Sequence, residues 1–559
     1  MIRKFRLSAC LLFTCLTPLL PAAEPVLLQE RLKNLPFEMP DLSEPIFPDF
    51  TVRISDFGAK GDGMTLNTGA FAEAVSACVR AGGGTVVVPP GTWLTGPIRL
   101  ESGVNLRLER GAVVQFSRNL SDFPFIAGLD GRSRRFIITP PLHACRARNV
   151  AITGEGIFDG AGEVWRYAKK IDMTDGQWKA LAAFGGVVTA DGEQWWPSRE
   201  AMEGAATLEA IRRSGREPTL EECIRTKEFL RPNLLQFEEC ENVWIKGPTF
   251  RNSPKFHLVP SQCENVVIWN VKVFSPEYGQ NTDGIDPRSC RNVAILDCIV
   301  DTGDDGICLK PAGVSDSQPP GPACANIVVD GCTVYKAHGG FVIGSESYGG
   351  VRNVMVRNCV FMDTDVGLRF KSARGRGGLV ENVYFENIRM RGIRTDAILF
   401  DMYYSGGAPD AEAAKDLTVR EAQPLTGLTP RYRDFFVKGV FCDGADRALV
   451  LNGLPEMPIR NMRLEDVTVL SRRGATIADA EGVLLKSCRI EPDSGPVLHV
   501  IQSRAINVTG GFYPADRGVF LRITGERSAG IRLKGVDFKG AEPVITADGG
   551  ASSAAVSRE

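Results

Sequence analysis

The feature that most constrains this chain is an asparagine motif that recurs along its middle. Its members are Asn242, Asn265, Asn292, Asn326, Asn353 and Asn382. Successive members lie 23 to 34 residues apart, and each is followed by an alternating apolar run, which predicts one short strand per repeat. Units of this length with a strand in each predict a solenoid. The interval is too variable for helical repeats, so we predict an all-β, right-handed, single-stranded parallel β-helix.

Cysteines also recur at two fixed places in the repeat. They precede the asparagine motif or follow the strand, at Cys240, Cys263, Cys290, Cys324, Cys298, Cys332 and Cys359. Many cysteines in an exported protein would normally suggest disulfides. A fixed place in every coil instead favours a stacked, buried column in which cysteine fills space as a small apolar residue. We therefore favour a core role, although a few pairs could still oxidise.

Composition sets the boundaries of the solenoid. Residues 1–23 have the features of a signal peptide, with a basic start, an apolar run over Leu7–Leu20 and small residues before Glu24. Residues 24–50 are proline-rich and predict an extended leader. The catalytic β-helix is predicted over 51–546, and the small, polar residues 547–559 are predicted to be a disordered tail.

Two segments are predicted to depart from the strand repeat. Asn67–Ala81 has helical periodicity and is followed by three glycines, so we predict a helix that caps the open end of the solenoid. Residues 160–235 interrupt the repeat with helix-like stretches and four tryptophans. Insertions in solenoids emerge mainly on one face, often the binding face.

Charge excludes some classes of partner. Loss of the three basic residues of the signal peptide would leave 62 basic against 67 acidic residues. A mildly acidic protein has no general attraction for nucleic acid or for acidic membranes. No later segment is apolar enough to span a bilayer. We therefore expect an exported protein, periplasmic or extracellular, with no nucleic-acid partner and no membrane insertion after signal cleavage.

The repeat register brings several polar residues onto one strip. We align the glycines that precede an apolar residue in successive coils, Gly284, Gly306, Gly340 and Gly367. Asp283 and Asp305 then lie side by side, directly before their glycines. A second column contains Thr282, Asp304 and His338. A basic column contains Arg288, Lys310 and Lys371, and Arg369 lies near it.

Such a strip predicts glycosidic cleavage. That reaction needs one protonated carboxyl group to donate to the leaving oxygen and one ionised carboxylate to activate water or attack. Closely spaced carboxylates raise one pKa, and basic side chains can pair with a sugar carboxylate. Asp-Gly pairs are common in turns, so a lone pair would be structural. Stacked acids without a use would cost stability, which favours function here.

The same residues carry a resemblance to a known family. Asn281-Thr282-Asp283, Gly303-Asp304-Asp305, His338-Gly339 and Arg369-Phe370-Lys371 resemble, in order, the four signature motifs of the polygalacturonases, glycoside hydrolase family 28. The resemblance covers roughly residues 52–545. It departs from the usual motifs at Ala337, where the family usually has glycine, and at Phe370, where many members have isoleucine.

The resemblance implies an inverting, single-displacement hydrolysis of α-1,4-linked galacturonic acid, without a metal or other cofactor. Asp304 corresponds to the general acid, Asp283 and Asp305 to the pair that activates water, and His338 to the histidine that supports the acid. The implied substrate-binding residues are Asn281, Arg369, Lys371 and Tyr403, for which Tyr404 is an alternative. Lys310 is predicted to extend the carboxylate site, although a solvated role is equally compatible with the sequence.

The mode of cleavage and the reaction class leave alternatives. Gly367–Lys371 and Gly453–Glu456 resemble bacterial, exo-leaning members, and the insert could close one end of a cleft. We therefore predict exo-acting cleavage of galacturonan or its oligosaccharides. The alternatives are a rhamnogalacturonan hydrolase, a calcium-dependent pectate lyase whose three aspartates bind Ca²⁺, and a non-catalytic carbohydrate-binding β-helix.

Overall fold

Successive coils pair as parallel strands, as the repeat predicted. Val243 pairs with Val266, which pairs with Val293, and the column continues through Ile327 and Val354. The chain is therefore a parallel β-helix. The computed structural model describes residues 28–129, 131, 135–311, 321–404, 420–513, 518–538 and 542–559. The predicted signal peptide lies outside these residues.

Three stacks of strands form the walls of the solenoid. In the first sheet, most of the asparagine motifs lie near the starts of the strands. This sheet contains Thr51–Arg53, Gly84–Val88, Val104–Leu108, Arg148–Gly154, Glu241–Lys246, Glu264–Trp269, Arg291–Leu296, Cys324–Asp330, Val351–Arg357, Leu379–Arg391, Arg431–Asn452, Ile459–Glu465, Ala480–Lys486, Arg504–Thr509, Ile531–Lys534 and Val556–Arg558. The second contains Gly91–Thr95, Ala112–Phe116, Ile157–Asp159, Thr249–Arg251, Lys272–Phe274, Ile299–Asp301, Thr333–Tyr335, Val360–Met362, Thr468–Ala478 and Arg489–Ile501. The third contains Ile98–Arg99, Leu142–Cys145, Leu235–Glu238, Leu258–Ser261, Ile307–Leu309, Gly339–Ile343, Val366–Lys371, Asp396–Asp401, Val519–Thr524 and Val544–Asp548. Several long strands continue from one sheet into the next.

The asparagines form a hydrogen-bonded ladder along the start of the first sheet. Each side-chain amide donates to the side-chain oxygen of the asparagine one coil earlier, at 3.0 to 3.4 Å from Asn242 to Asn382. The ladder begins one coil earlier than the motif predicted, at Asn149. All these residues have φ near +55°, a left-handed conformation that asparagine tolerates better than most residues. The ladder therefore explains why this residue recurs.

The cysteines fill the core, which confirms the predicted stacked column. All thirteen cysteines in the described residues are free, and all except the half-buried Cys145 are buried. The backbone N–H of Cys240 donates to the sulfur of Cys263 at 3.4 Å, and that of Cys263 donates to Cys290 at the same distance. Such stacking uses the small size of cysteine without a covalent bond.

The predicted cap and insert are both present. A helix over Thr68–Arg80 buries Phe71, Ala74, Val75 and Cys78 against the first coils. The insert between Asp159 and Leu235 contains the helices Asp175–Phe184, Arg199–Arg213, Leu220–Arg225 and Lys227–Leu230, and a small antiparallel sheet of Ala168–Lys169, Val187–Val188 and Gln194–Trp196. Another two-stranded antiparallel sheet pairs Phe125–Ile126 with Ile137–Ile138.

Two terminal segments differ from expectation. The leader contains a helical turn, Leu28–Arg31, and packs on the outer face of the first sheet, where Leu28 and Leu42 cover Trp244 and Val267. The tail was predicted to be disordered, which was wrong. Its strand Val556–Arg558 pairs with Ile531–Lys534, because an unpaired sheet edge gains hydrogen bonds from any segment that can extend it. Within the described residues, no helix has the length and apolar character needed to cross a membrane.

Candidate active site

The predicted register is confirmed, and it gathers the three aspartates. Ile285 pairs with Ile307, Ile307 with Phe341, and Phe341 with Leu368. The glycines before these residues are needed for space, since a Cβ on Gly306 would come within 2.4 Å of Val334. This close stacking brings one carboxylate oxygen each from Asp283, Asp304 and Asp305 within 4.8 Å of one another.

Asp304 is the most exposed member of the trio, and it adjoins the cleft, a cavity whose lining includes Gly303, His338 and Asp172 of the insert. The Asp304 side chain is 19% exposed, whereas those of Asp283 and Asp305 are 2% and 1% exposed. His338 Nδ1 lies 3.2 Å from Asp304 Oδ1, and the His338 backbone N–H donates to the Asp304 carbonyl at 3.0 Å. Burial alone would raise the pKa of Asp304, but the hydrogen bond and charge of His338, with Lys371, lower it. Asp304 and His338 therefore share protons as a pair.

Asp305 is held by two cations. Lys371 Nζ donates to Asp305 Oδ2 at 2.7 Å, and Arg369 Nη1 donates to Asp305 Oδ1 at 3.1 Å. Burial opposes ionisation, but the charges of Lys371 and Arg369 hold the pKa of Asp305 well below its usual range. Asp305 is therefore an ionised carboxylate whose two oxygens are already occupied.

Asp283 has a different environment. Burial raises its pKa well above the usual range, and the neighbouring Asp304, Asp286 and Asp305 add to this effect. Lys310 opposes it through an ion pair with Asp283, but the same ammonium group also lies 3.2 Å from Asp286. Asp283 Oδ1 is buried and has no hydrogen-bond partner among the described residues. A buried carboxylate oxygen without a partner is unfavourable when ionised, which agrees with the raised pKa of Asp283.

The site as a whole retains a proton. It contains four carboxyl groups, Asp283, Asp286, Asp304 and Asp305, against three cations, Lys310, Arg369 and Lys371. With all of them ionised the cluster carries one uncompensated negative charge. A proton on His338 compensates it, and the charges of the surrounding aspartates raise the pKa of His338 despite its burial. Interacting groups of this kind titrate together.

Comparison with known proteins assigns the chain to a family. The sequence profile described as "Glycosyl hydrolases family 28" matches residues 142–424, which is half of the chain. The chain belongs to this family. It is therefore a glycoside hydrolase. A second profile, "Rhamnogalacturonase A/epimerase, pectate lyase-like", matches residues 51–107.

Relatives of this family-28 hydrolase include polygalacturonases. A "Probable polygalacturonase" from Vitis vinifera is 27% identical over 454 residues, or 79% of this chain and 80% of the relative. An "Exo-poly-alpha-D-galacturonosidase" from Dickeya chrysanthemi is 28% identical over 397 residues, which cover 68% of this chain and just under two thirds, 63%, of the relative. The solved structure of an exopolygalacturonase from Thermotoga maritima is 27% identical, with a TM-score of 0.61 over 88% of this chain and 94% of that one.

Of the two tyrosines that the resemblance left open, Tyr404 is the one beside Arg369 and Lys371. Tyr403 turns away, with Arg374 and Arg420 at 5.1 and 4.4 Å from its ring, and it packs against the core. Tyr404 instead lies 5.6 Å from Arg369 and 5.2 Å from Lys371. The reason is a backbone bond from Tyr404 N–H to the Ser372 carbonyl, which keeps Tyr404 next to the coil that carries the cations.

Lys310 does not sit where a sugar carboxylate could reach it. Its side chain is 8% exposed and paired with Asp283 and Asp286, so it compensates buried charge in this family-28 site. Asn281 is likewise engaged within the protein, because its side-chain oxygen accepts from Arg231 Nη2 at 2.8 Å. The predicted direct contacts of these two residues with substrate are therefore not supported by their positions. Lys371 is equally buried, at 8% exposed, and paired with Asp305, whereas Arg369 is 17% exposed.

Sequence reasoning missed a carboxylate on the far side of His338. Asp365 Oδ2 lies 3.8 Å from His338 Nε2. Arg394 forms ion pairs with Asp365, at 3.3 Å, and with Glu277, at 2.6 Å. The repeat alignment could have indicated Asp365. It lies two residues before Gly367, just as Asp304 and His338 lie two residues before the glycines of their own coils. Asp286 and Arg231 were missed too, since the sequence does not show the ion pair of Asp286 with Lys310 or the hydrogen bond of Arg231 with Asn281.

Proposed function

We propose that this family-28 hydrolase cleaves α-1,4-galacturonosyl linkages of polygalacturonate by acid/base hydrolysis. The observation that carries the proposal is the Asp304–His338 pair facing the cleft next to two buried aspartates and the cations Arg369 and Lys371. The names of the relatives agree with it. The test is reducing-sugar release from a panel of pectic polymers, including rhamnogalacturonan, and release from rhamnogalacturonan alone would contradict the proposal.

The roles follow from accessibility. The proton that Asp304 shares with His338 moves to the Asp304 carboxylate and from there to the glycosidic oxygen as the bond to the anomeric carbon breaks. A water oxygen bonds to that carbon, and its proton passes to the buried pair Asp283 and Asp305, of which Asp305 is ionised. Asp283 has the higher pKa but is buried and ion-paired, so it cannot reach the leaving oxygen as Asp304 can.

The stereochemical outcome needs its own test. Carboxyl groups about 5–5.5 Å apart are typical of retaining glycosidases, and those of inverting enzymes are about 6.5–9.5 Å apart. The aspartate oxygens here lie within 4.8 Å. We still propose inversion, because Asp305 has both oxygens occupied and Asp283 is too buried to attack carbon. Proton NMR at early times should show the β-anomer of the new reducing end; the α-anomer would contradict inversion.

We further propose that the enzyme is exo-acting, so that it cleaves galacturonan only from a chain end. The insert reaches the coil of the catalytic residues, since Gln280 donates to Asp172 at 2.9 Å and Arg231 binds Asn281. Tyr167 of the insert stacks on Trp196 and lies 5.6 Å from Arg231, so it extends the barrier. A cleft closed on this side would admit only a chain end. An early ladder of mixed oligomers from polygalacturonate would contradict exo action.

A calcium-dependent lyase is the alternative that a specific observation favours. The three aspartates have the spacing of a metal site. However, Lys371 and Arg369 occupy the oxygens of Asp305, and Lys310 occupies Asp283, so a divalent cation would have to displace them. We expect a chelator to leave turnover unchanged and no product to absorb in the ultraviolet. Loss of activity with chelator would favour the lyase.

We also propose that the protein is exported. The support is the signal-peptide pattern of residues 1–23, which lie outside the described residues. Fractionation of expressing bacterial cells should recover a shortened chain in the periplasm or medium. A full-length chain in the cytoplasm would contradict the proposal.

A further inference from the structure

Lys255 is a cation near the buried aspartates that has no partner among the described residues: the Phe256 ring that its ammonium group contacts also lies 4.3 Å from Lys310 Nζ. Lys255 lies on the coil directly before Asp283, as the pairing of Leu258 with Ile285 fixes. Its ammonium group is 5.2 Å from the Phe256 ring and makes no hydrogen bond or ion pair with any described residue. Arg288, on the next coil, likewise has no carboxylate within ion-pair distance in the described part of the chain.

Three other cations near the aspartates are satisfied within the protein. Lys310 pairs with Asp283 and Asp286, Lys371 with Asp305, and Arg231 with Asn281 and two backbone carbonyls. An unpaired, half-buried ammonium group among other cations is unfavourable on its own. Burial and the charges of Arg231 and Arg288 accordingly lower the pKa of Lys255 to about 8, although Asp283 opposes this. Glu346 is near Arg288 but forms no ion pair with it.

We propose that Lys255, with Arg288 beside it, binds the carboxylate of the galacturonate unit on the insert side of the cleaved bond. The inference rests on the proposed function, because it places the substrate chain across Asp304. The cations Arg369 and Lys371 lie on the opposite side of the aspartates, two coils further along the solenoid. Arg231 of the insert donates to the Pro254 carbonyl, next to Lys255. Exo action from the non-reducing end would place the non-reducing unit there, and its carboxylate would be the group that the closed end recognises.

The experiment compares Lys255→Met, Lys255→Arg and a surface control, Lys272→Met, in the full-length mature protein. The substrates are trigalacturonate and the same trimer methyl-esterified only on its non-reducing unit. We expect Lys255→Met to raise KM for trigalacturonate by about tenfold or more and to abolish the preference for the acid over the ester. Lys255→Arg should restore much of that preference, and Lys272→Met should match the parent protein.

Binding of trigalacturonate to Asp304→Asn, with and without Lys255→Met, separates this inference from the proposed function. If binding of trigalacturonate depends on Lys255 but the parent protein does not hydrolyse the trimer, the subsite is supported and the proposed hydrolase function is contradicted. Normal hydrolysis with unchanged KM and preference in Lys255→Met overturns the subsite alone. An equal loss for acid and ester also overturns it, because it indicates a structural role. No binding to either protein overturns both.

Discussion

Asp283 and Asp305 are neighbours in the same column, both are almost fully buried, and each contacts a lysine, yet their pKa values move in opposite directions. Asp305 receives two cations of its own. Asp283 shares Lys310 with Asp286 and keeps one oxygen unpaired. The difference shows that the number of cations per carboxylate, more than burial, decides which buried acid stays ionised. It also leaves proton donation to the more exposed Asp304.

Replacement of that third acid is the strongest test of this division. Asp304→Asn keeps the shape and removes the proton donor, so we expect turnover to fall by at least about 10³-fold. Binding of oligogalacturonate should persist, because the cations are untouched. The measurement is kcat on trigalacturonate, with Asp301→Asn on the second sheet as control. Turnover near that of the parent would mean that another acid donates the proton.

Lys310→Met tests the shared cation. It leaves the buried Asp283 and Asp286 without a counter-charge, which we expect to cost about 3 kcal/mol of unfolding free energy near neutral pH. The pKa of Asp286 is raised to about 6 and that of Asp283 is also raised, so protonation should relieve this cost. Lys310 lowers both pKa values in the parent, so its loss raises them further, and stability of the variant relative to the parent should recover as pH falls towards about 6.

The companion variant, Lys371→Met, sharpens the contrast. Asp305 keeps Arg369, so the loss of unfolding free energy should be smaller. The deficit relative to the parent again disappears as pH falls, but in a lower pH window, because Lys371 stabilises Asp305 only while that carboxylate is ionised. The depressed pKa of Asp305 gives stability that is present above the usual aspartate pKa and lost as pH falls through the folded value. Thermal unfolding of both variants across this range is the measurement, and identical pH profiles would contradict the distinction between the two aspartates.

The sequence was sufficient to predict the stacking of the coils, because a strand period and a fixed glycine determine which residues lie side by side. The columns of Asp283 with Asp305 and of Asp304 with His338 follow from this register alone. The same register places Asp365 in the column of Asp304 and His338, although only the structure shows that Asp365 contacts His338.

Side-chain partners could not be predicted in the same way. Register places Lys310 on the cleft strip, but it does not show that two buried aspartates occupy its ammonium group. It also cannot distinguish Tyr403 from Tyr404, which follow the end of a strand where the two-residue alternation stops. The insert does not belong to the repeat, so the repeat register cannot predict its contacts, such as the one between Arg231 and Asn281.

Asp365→Asn tests the second carboxylate on His338. His338 has its pKa raised by Asp304, Asp305 and Asp365, while Lys336 and Arg394 line the same cavity of about 730 Å³. Removing the negative charge of Asp365 should lower the pKa of His338, so the proton that His338 shares with Asp304 is lost at a lower pH. We expect the alkaline limb of kcat/KM to move down by about one pH unit, with the acid limb unchanged. An unmoved alkaline limb would exclude Asp365 as a positioning residue.

The smallest expected effect distinguishes the two tyrosines. Tyr404→Leu removes the ring beside Arg369 and Lys371, and a cation–π contact of about 0.5–1 kcal/mol implies a rise in KM of roughly two- to fivefold. Tyr403→Leu should do the reverse, because its ring packs on the core and against Arg420: thermal stability falls and KM stays the same. Measuring KM and the unfolding temperature for both variants completes the comparison. A KM effect confined to Tyr403→Leu would return the substrate-binding role to the residue that the family resemblance first indicated, and would mean that the cations on the Asp305 side act without an aromatic partner.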